Sequence, residues 1–198
     1  MDDYLLREFA VVAWVRKVLE VDISPEFWND LKDGVLICQL MEELHPHSIP
    51  HIEAADDSFI LARKNISYFF DACLDLGVDR LYLFQAQDLY LFLNIPRVVR
   101  CLELVAESVE NDQNYTGSRL SEVFSHFKNE NRKIPCSPAR MVQLTPLVQE
   151  IEERDIKVRE QRESQKQSAA SREDRRKALQ RQKAVGKFLK LNGKQNCK

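Results

Sequence analysis

Across the first 110 positions the apolar residues recur at spacings of three and four, and no segment of useful length alternates at two. That period belongs to helices with one buried face and excludes a half-exposed sheet. Leu5, Leu6, Phe9, Val12, Ala13, Val15 and Leu19 make one such stripe. Ser24 and Pro25 offer an N-cap and first turn to a second helix. Its apolar positions run from Phe27 and Trp28 through Leu31, Val35, Leu36, Leu40 and Met41 to Leu44, and Pro46 stops it. A third helix is predicted over "FILARKNISYFFDACLDLGV", with Gly77 as its left-handed C-terminal cap. After a short stretch, "LYLFQAQDLYLF", Pro96 suits the opening turn of a last helix carrying Val98, Val99, Leu102, Val105 and Ala106. The fold class is all-α. Trp14, Trp28, Leu36, Leu40, Phe69, Phe70, Cys73, Leu89 and Leu102 are the expected core. Gly34, near the start of a long helix, costs about 1 kcal/mol relative to alanine, which implies close approach of another helix or backbone.

The pattern changes after residue 110. "SRLSEVFSHFKNENRK" reads as a short amphipathic helix packed on the domain, and "KIPCSP" as a breaker. Met141, Leu144, Val148, Ile151 and Val158 keep a heptad-like spacing too briefly for a coiled coil. From Arg159 to Lys177 almost nothing apolar remains, while Asp155–Arg159 and Glu173–Lys177 sit at i,i+4, so this segment is a solvated helix or disordered. Charge divides the chain at the same place. Residues 1–118 hold 21 acids and 9 bases, a net of −12; residues 119–198 hold 10 acids and 20 bases, a net of +10. The expected organisation is a domain over 3–118, a short helix and linker over 119–139, and a basic tail over 140–198.

Several function classes fall away. No GxSxG, P-loop, GxGxxG or HExxH is present, so no enzyme is expected and no small-molecule substrate or cofactor is implied. Three histidines, His45, His47 and His51, crowd "LHPHSIPH", but no CxxC or HxxxH pair completes a tetrahedral metal set. They read as loop positions that add positive charge as pH falls. Asp56, Asp57 and Ser58 read as capping charge at the third helix's start. Cys38, Cys73 and Cys101 lie inside apolar runs and fit buried free thiols in a reducing compartment, where the sequons at Asn65 and Asn114 carry no meaning. No run approaches the roughly 20 apolar residues needed to cross a bilayer, and the acidic N-terminus is unlike a secretion signal, so the expected location is cytoplasmic. Nucleic acid is disfavoured: the tail's charges are mixed, Phe188 is its one aromatic, and the attached domain is acidic.

"LKDGVLICQLMEELHPHSI", the "FILARKNISYFFDACLDLGV" run with Asn65, Phe69 and Cys73, and "LFQAQDLYLFLNIPRVVRCLELVA" together resemble successive helices of a calponin-homology domain, covering Asp3 to Glu110 in order. "ARKN", "GVD" and "PRVVRCLEL" look most like the growth-arrest-specific type, and "PHSI" with "KNISYFFDACLDLG" like the Vav type. The resemblance implies a compact helical fold and binding to F-actin through the first and last helices, where Arg16, Lys17, Arg97 and Arg100 are the candidate contacts. It covers one copy, not the tandem pair typical of an autonomous actin-binding unit.

Actin filaments and microtubules are acidic, so a domain at −12 is repelled at long range and the tail supplies the opposite sign. The tail's candidate contacts are Arg172, Arg175, Arg176, Lys177, Arg181, Lys183, Lys187 and Lys190. Three roles remain open: a cytoskeletal protein contacting F-actin, microtubule binding through the tail, and a signalling scaffold binding other proteins. A further arrangement folds the tail back on its own acidic domain. Ser137-Pro138 and Thr145-Pro146 are minimal proline-directed phosphorylation patterns at the hinge.

Overall fold

The computed structural model describes residues 1–21, 27–54 and 57–192; of 170–176 and 178–192 it describes the backbone alone. Every regular element among the described residues is helical: α1 (Asp2–Leu19), α2 (Phe27–Leu31), α3 (Val35–Leu44), α4 (Phe59–Asp75), a 3-10 turn (Arg80–Tyr82), α5 (Ala86–Tyr90), α6 (Ile95–Glu110), α7 (Leu120–Asn129) and α8 (Pro138–Asn192). They divide into two compact units, Met1–Ile151 and Glu152–Lys198.

In the first unit α3 packs on α4, and α1 lies against α3, α6 and α7. The helix ends follow the capping chemistry of the sequence. Gly77, at φ +91°, closes α4: its own N–H reaches the Leu74 carbonyl and that of Val78 reaches Cys73, a Schellman motif. Asn94 caps α6 by accepting from the Arg97 N–H at 3.2 Å, with Pro96 in the first turn. Gln85 and Asp88 form a reciprocal capping box on α5.

The expected second helix is two helices. Gly34 takes φ +77° between α2 and α3 and breaks the run, while the Ser24–Pro25 start lies outside the described residues. Close approach at Gly34 is observed, since a β-carbon there would stand 2.8 Å from Asn65 Cβ and 3.2 Å from the Ile66 amide. Asn65 is buried, and its amide clamps the loop that follows α3. Its Nδ2 donates to the carbonyls of Asp33 (3.0 Å) and Glu53 (3.2 Å), and its Oδ1 accepts from the Glu53 N–H (2.8 Å).

Trp14, Leu40, Phe69, Cys73, Leu89 and Leu102 are in the core, but Trp28, Leu36 and Phe70 are half-buried. Leu31, Ile37 and Met41 take the fully buried places, because the break at Gly34 sets α3's phase independently of α2. Cys38, Cys73 and Cys101 are free and buried, and burial pushes the Cys38 thiol up to about 12.

α7 closes on α1 through Phe127, whose ring meets Phe9 edge-on at 4.9 Å, with the Arg132 guanidinium over both rings. Trp14 Nε1 donates to the Ser118 carbonyl at 2.8 Å and anchors the approach to α7. The opening turns of α8 bury Leu144, Val148 and Ile151 within the same unit. In the second unit α8 continues, with every side chain from Arg159 to Ala169 exposed, as expected of a segment with no apolar face.

Candidate interaction surface

Two of the four candidate contacts in the first unit, Arg97 and Arg100, are held by carboxylates. Arg97 stands 3.6 Å from Asp88 and 3.9 Å from Glu150 of α8, and its side chain is only 20% exposed. Arg100 bridges Glu103 (3.2 Å) and Glu107 (3.5 Å) and lies over the Tyr82 ring. Glu103 also accepts from Nε and Nη2 of Arg7, one on each oxygen, which ties α1 to α6 through one buried carboxylate. Arg16 is half-buried on the wall of a groove, and Lys17 is exposed beside it. Of the tail residues, Lys177 is exposed; Arg172, Arg175, Arg176, Arg181, Lys183, Lys187 and Lys190 ride on α8, their side chains outside the described residues.

The groove runs between α1, the α5–α6 connection and the opening of α8, and encloses about 1070 Å³. Phe9, Val12, Trp28 and Pro96 give it apolar walls, and Glu8 stands within it. Glu8 is only 6% exposed. Its Oε1 accepts from Trp28 Nε1 at 2.9 Å and from Arg140 Nη2 of α8 at 2.5 Å, so both donors fall on one oxygen. Tyr4, one turn back on α1, has its phenol pushed well above its usual range, by burial first and then by Glu8's charge. A hydrogen bond to the Glu8 carboxylate adds to the shift.

At the groove rim Leu91, Phe92 and Leu93 are all exposed, and Phe92 holds φ +56°. A bulky side chain in the left-handed region costs about 1–3 kcal/mol and persists only where its surroundings impose it. Sequence reasoning missed Glu8 and Arg140. Glu8 is a lone acid on an apolar stripe, and that interruption was the one local signal available.

The "HPHSIPH" loop is a turn organised by a carboxylate. Glu42 accepts the N–H of His47 at 2.7 Å and of Ile49 at 3.2 Å, and those bonds hold its pKa below the usual range. His47 sits at φ +66°, and His51 Nε2 lies 3.7 Å from Glu53. Among the described residues no cluster of His, Cys, Asp or Glu could hold a metal ion. The expected capping charge at α4 differs too. Ser58 stands at the N-cap without a side-chain bond, Asp57 instead pairs with Lys32 at 2.8 Å, and Asp56 lies outside the described residues. Ser137 is exposed and its Oγ accepts from the Arg140 N–H at the start of α8. Thr145 is inside that helix, its hydroxyl bonded back to the Met141 carbonyl at 2.7 Å. Among the described residues no helix is long and apolar enough to cross a membrane.

These features define an all-α interaction domain: engaged surface arginines, an apolar groove around one buried acid, and an amphipathic helix laid along it. The chain belongs to the calponin homology (CH) domain family, which matches residues 6–108. It is 28% identical over 125 residues to mouse calponin-2, covering 63% of this chain and 41% of that protein. It is 27% identical over 120 residues to the Rac guanine nucleotide exchange factor B of Dictyostelium discoideum, covering 60% and 9%. The chain thus spans about two fifths or less of these relatives' length. The crystal structure of the calponin-homology domain of Rng2 from Schizosaccharomyces pombe aligns with a TM-score of 0.49 at 22% identity, over 67% of this chain and 92% of that one.

Proposed function

We propose that the chain is a non-enzymatic binding protein of the cytoskeleton, whose CH domain makes an F-actin contact and whose basic tail adds electrostatic affinity. The observation that carries this reading is the charge division: a CH domain within a segment at −12 is followed by a segment at +10. The relatives named calponin support the cytoskeletal side. The domain's share of the contact falls first to the exposed Lys17 on α1, beside the half-buried Arg16, with Arg97 and Arg100 joining only by trading their internal partners. The growth-arrest-specific or Vav-like character remains part of this proposal.

Co-sedimentation with F-actin, at two salt concentrations, tests it on the full chain. Replacing Arg172, Arg175, Arg176, Lys177, Arg181 and Lys183 by glutamine is expected to weaken binding at low salt and flatten its salt dependence. Binding that neither falls with salt nor responds to the substitutions would remove the tail from the mechanism. A signalling scaffold is the second reading, favoured by the similarity to a Rac exchange factor. It predicts no sedimentation with either filament and a stoichiometric protein partner. Sedimentation with microtubules alone would assign the tail to that filament.

A further inference from the structure

We propose that the groove around Glu8 is a docking site for an arginine-bearing amphipathic helix of a partner protein, and that residues 138–151 occupy it in cis as an incompletely matched ligand. This does not depend on filament binding.

The self-ligand defines the chemistry. Its Arg140 enters the groove beside Trp28 and meets Glu8, across 132 positions of sequence. Leu144, Val148 and Ile151 follow at one, two and three turns and are buried, so the segment presents a basic residue at the head of an apolar stripe. A guanidinium suits this place better than an ammonium, because its planar fork can take both oxygens of one carboxylate.

The match is incomplete in two respects. Arg140 engages one oxygen through one nitrogen, and Oε2, buried at the groove, is left to the Tyr4 hydroxyl rather than to a second guanidinium N–H. A better-placed guanidinium would take both oxygens in the bidentate geometry that the cis ligand does not reach. The α8 segment also leaves about 1070 Å³ of the groove open, next to the exposed Leu91–Leu93 rim and the strained Phe92. Apolar side chains longer or differently spaced than those of α8 would fill it. Pro146 inside α8 adds to the imperfection, since it can make no bond to the Val142 carbonyl. An external helix competes against a tethered one, so it must overcome an effective concentration on the order of millimolar.

The probe is a labelled synthetic peptide of residues 138–155, titrated by fluorescence anisotropy against the full chain. Arg140→Ala weakens the cis ligand, and this variant is expected to bind the probe at least about tenfold more tightly than wild type. Adding Glu8→Gln to Arg140→Ala is expected to abolish the gain, and a probe with alanine in place of its arginine to bind at least about tenfold more weakly. Equal probe affinity for wild type and Arg140→Ala, or for the arginine and alanine probes, would overturn the proposal. Hydrogen exchange on the wild-type chain supplies a readout that needs no variant. Excess probe should raise exchange across 138–151, and unchanged exchange at saturation refutes displacement. Concentration-dependent dimerisation of the full chain that protects the groove would assign it to a second copy and refute the partner reading.

Discussion

Gly34→Ala is the sharpest test of how this domain is held together, because Gly77 provides a matched control. Both glycines lie in the left-handed region, at φ +77° and +91°, so an alanine at either carries the same kind of backbone penalty, about 1–2 kcal/mol. Either substitution also stiffens the unfolded chain, a compensating effect common to both. They differ in surroundings. Nothing lies within 4 Å of a β-carbon at Gly77, whereas at Gly34 Asn65 Cβ would stand at 2.8 Å and the Ile66 amide at 3.2 Å. Neither neighbour is a flexible chain end: one is a backbone atom, and the other belongs to a side chain held by three hydrogen bonds. The overlap should therefore add an overpacking cost of about 1–3 kcal/mol. Urea unfolding of the two single variants measures it directly. Gly34→Ala is expected to lose about 2–5 kcal/mol and Gly77→Ala about 1–2. Losses equal within about 0.5 kcal/mol would mean that α4 does not press on the α2–α3 junction.

Asn65→Ala leaves the Asp33 carbonyl at the α2–α3 junction and the Glu53 carbonyl and N–H of the α3–α4 loop without their partner and is expected to cost about 2–4 kcal/mol; a loss below about 1 would show that water replaces the clamp. Ile37→Asp buries a charge in the core and should abolish cooperative unfolding, while Leu36→Asp, at a half-buried site, should leave a measurable transition. Similar behaviour of the two would put α3 in the wrong phase. Lys32 holds the Asp57 carboxyl below its ordinary value, so this pair's contribution is present above the unfolded value near 3.9 and is lost as pH falls through the folded one. The stability difference between wild type and Lys32→Met should accordingly be flat from about pH 5 to 8 and shrink progressively below about 4; a difference that does not shrink at all as pH falls below about 4 contradicts the pairing.

Much of the fold was legible because its signals are local. The stripes of α1, α4 and α6, the Gly77 cap, the Pro96 start, the short helix after residue 118 and the end of apolar patterning near Val158 each need only a few neighbouring residues to be read. Gly34 shows where such reading stops. Its cost signalled a close approach, but not that the chain turns left-handed there and rephases α3, so Leu36 was expected inside and is half-buried. The histidines of the "HPHSIPH" loop drew notice as chemistry, whereas the group that organises the turn is Glu42, inside the preceding helix.

The sequence by itself determined the helical class, the family and the separation of opposite charges, since period, motif and composition are properties of short windows of chain. The tertiary structure alone decided what the surface can offer. It turned Arg97 and Arg100 inward onto carboxylates, buried Glu8 beside a tryptophan and laid Arg140 upon it. A charge's worth depends on its solvent and its partners, and both are set by contacts between residues far apart in sequence, which no local pattern encodes.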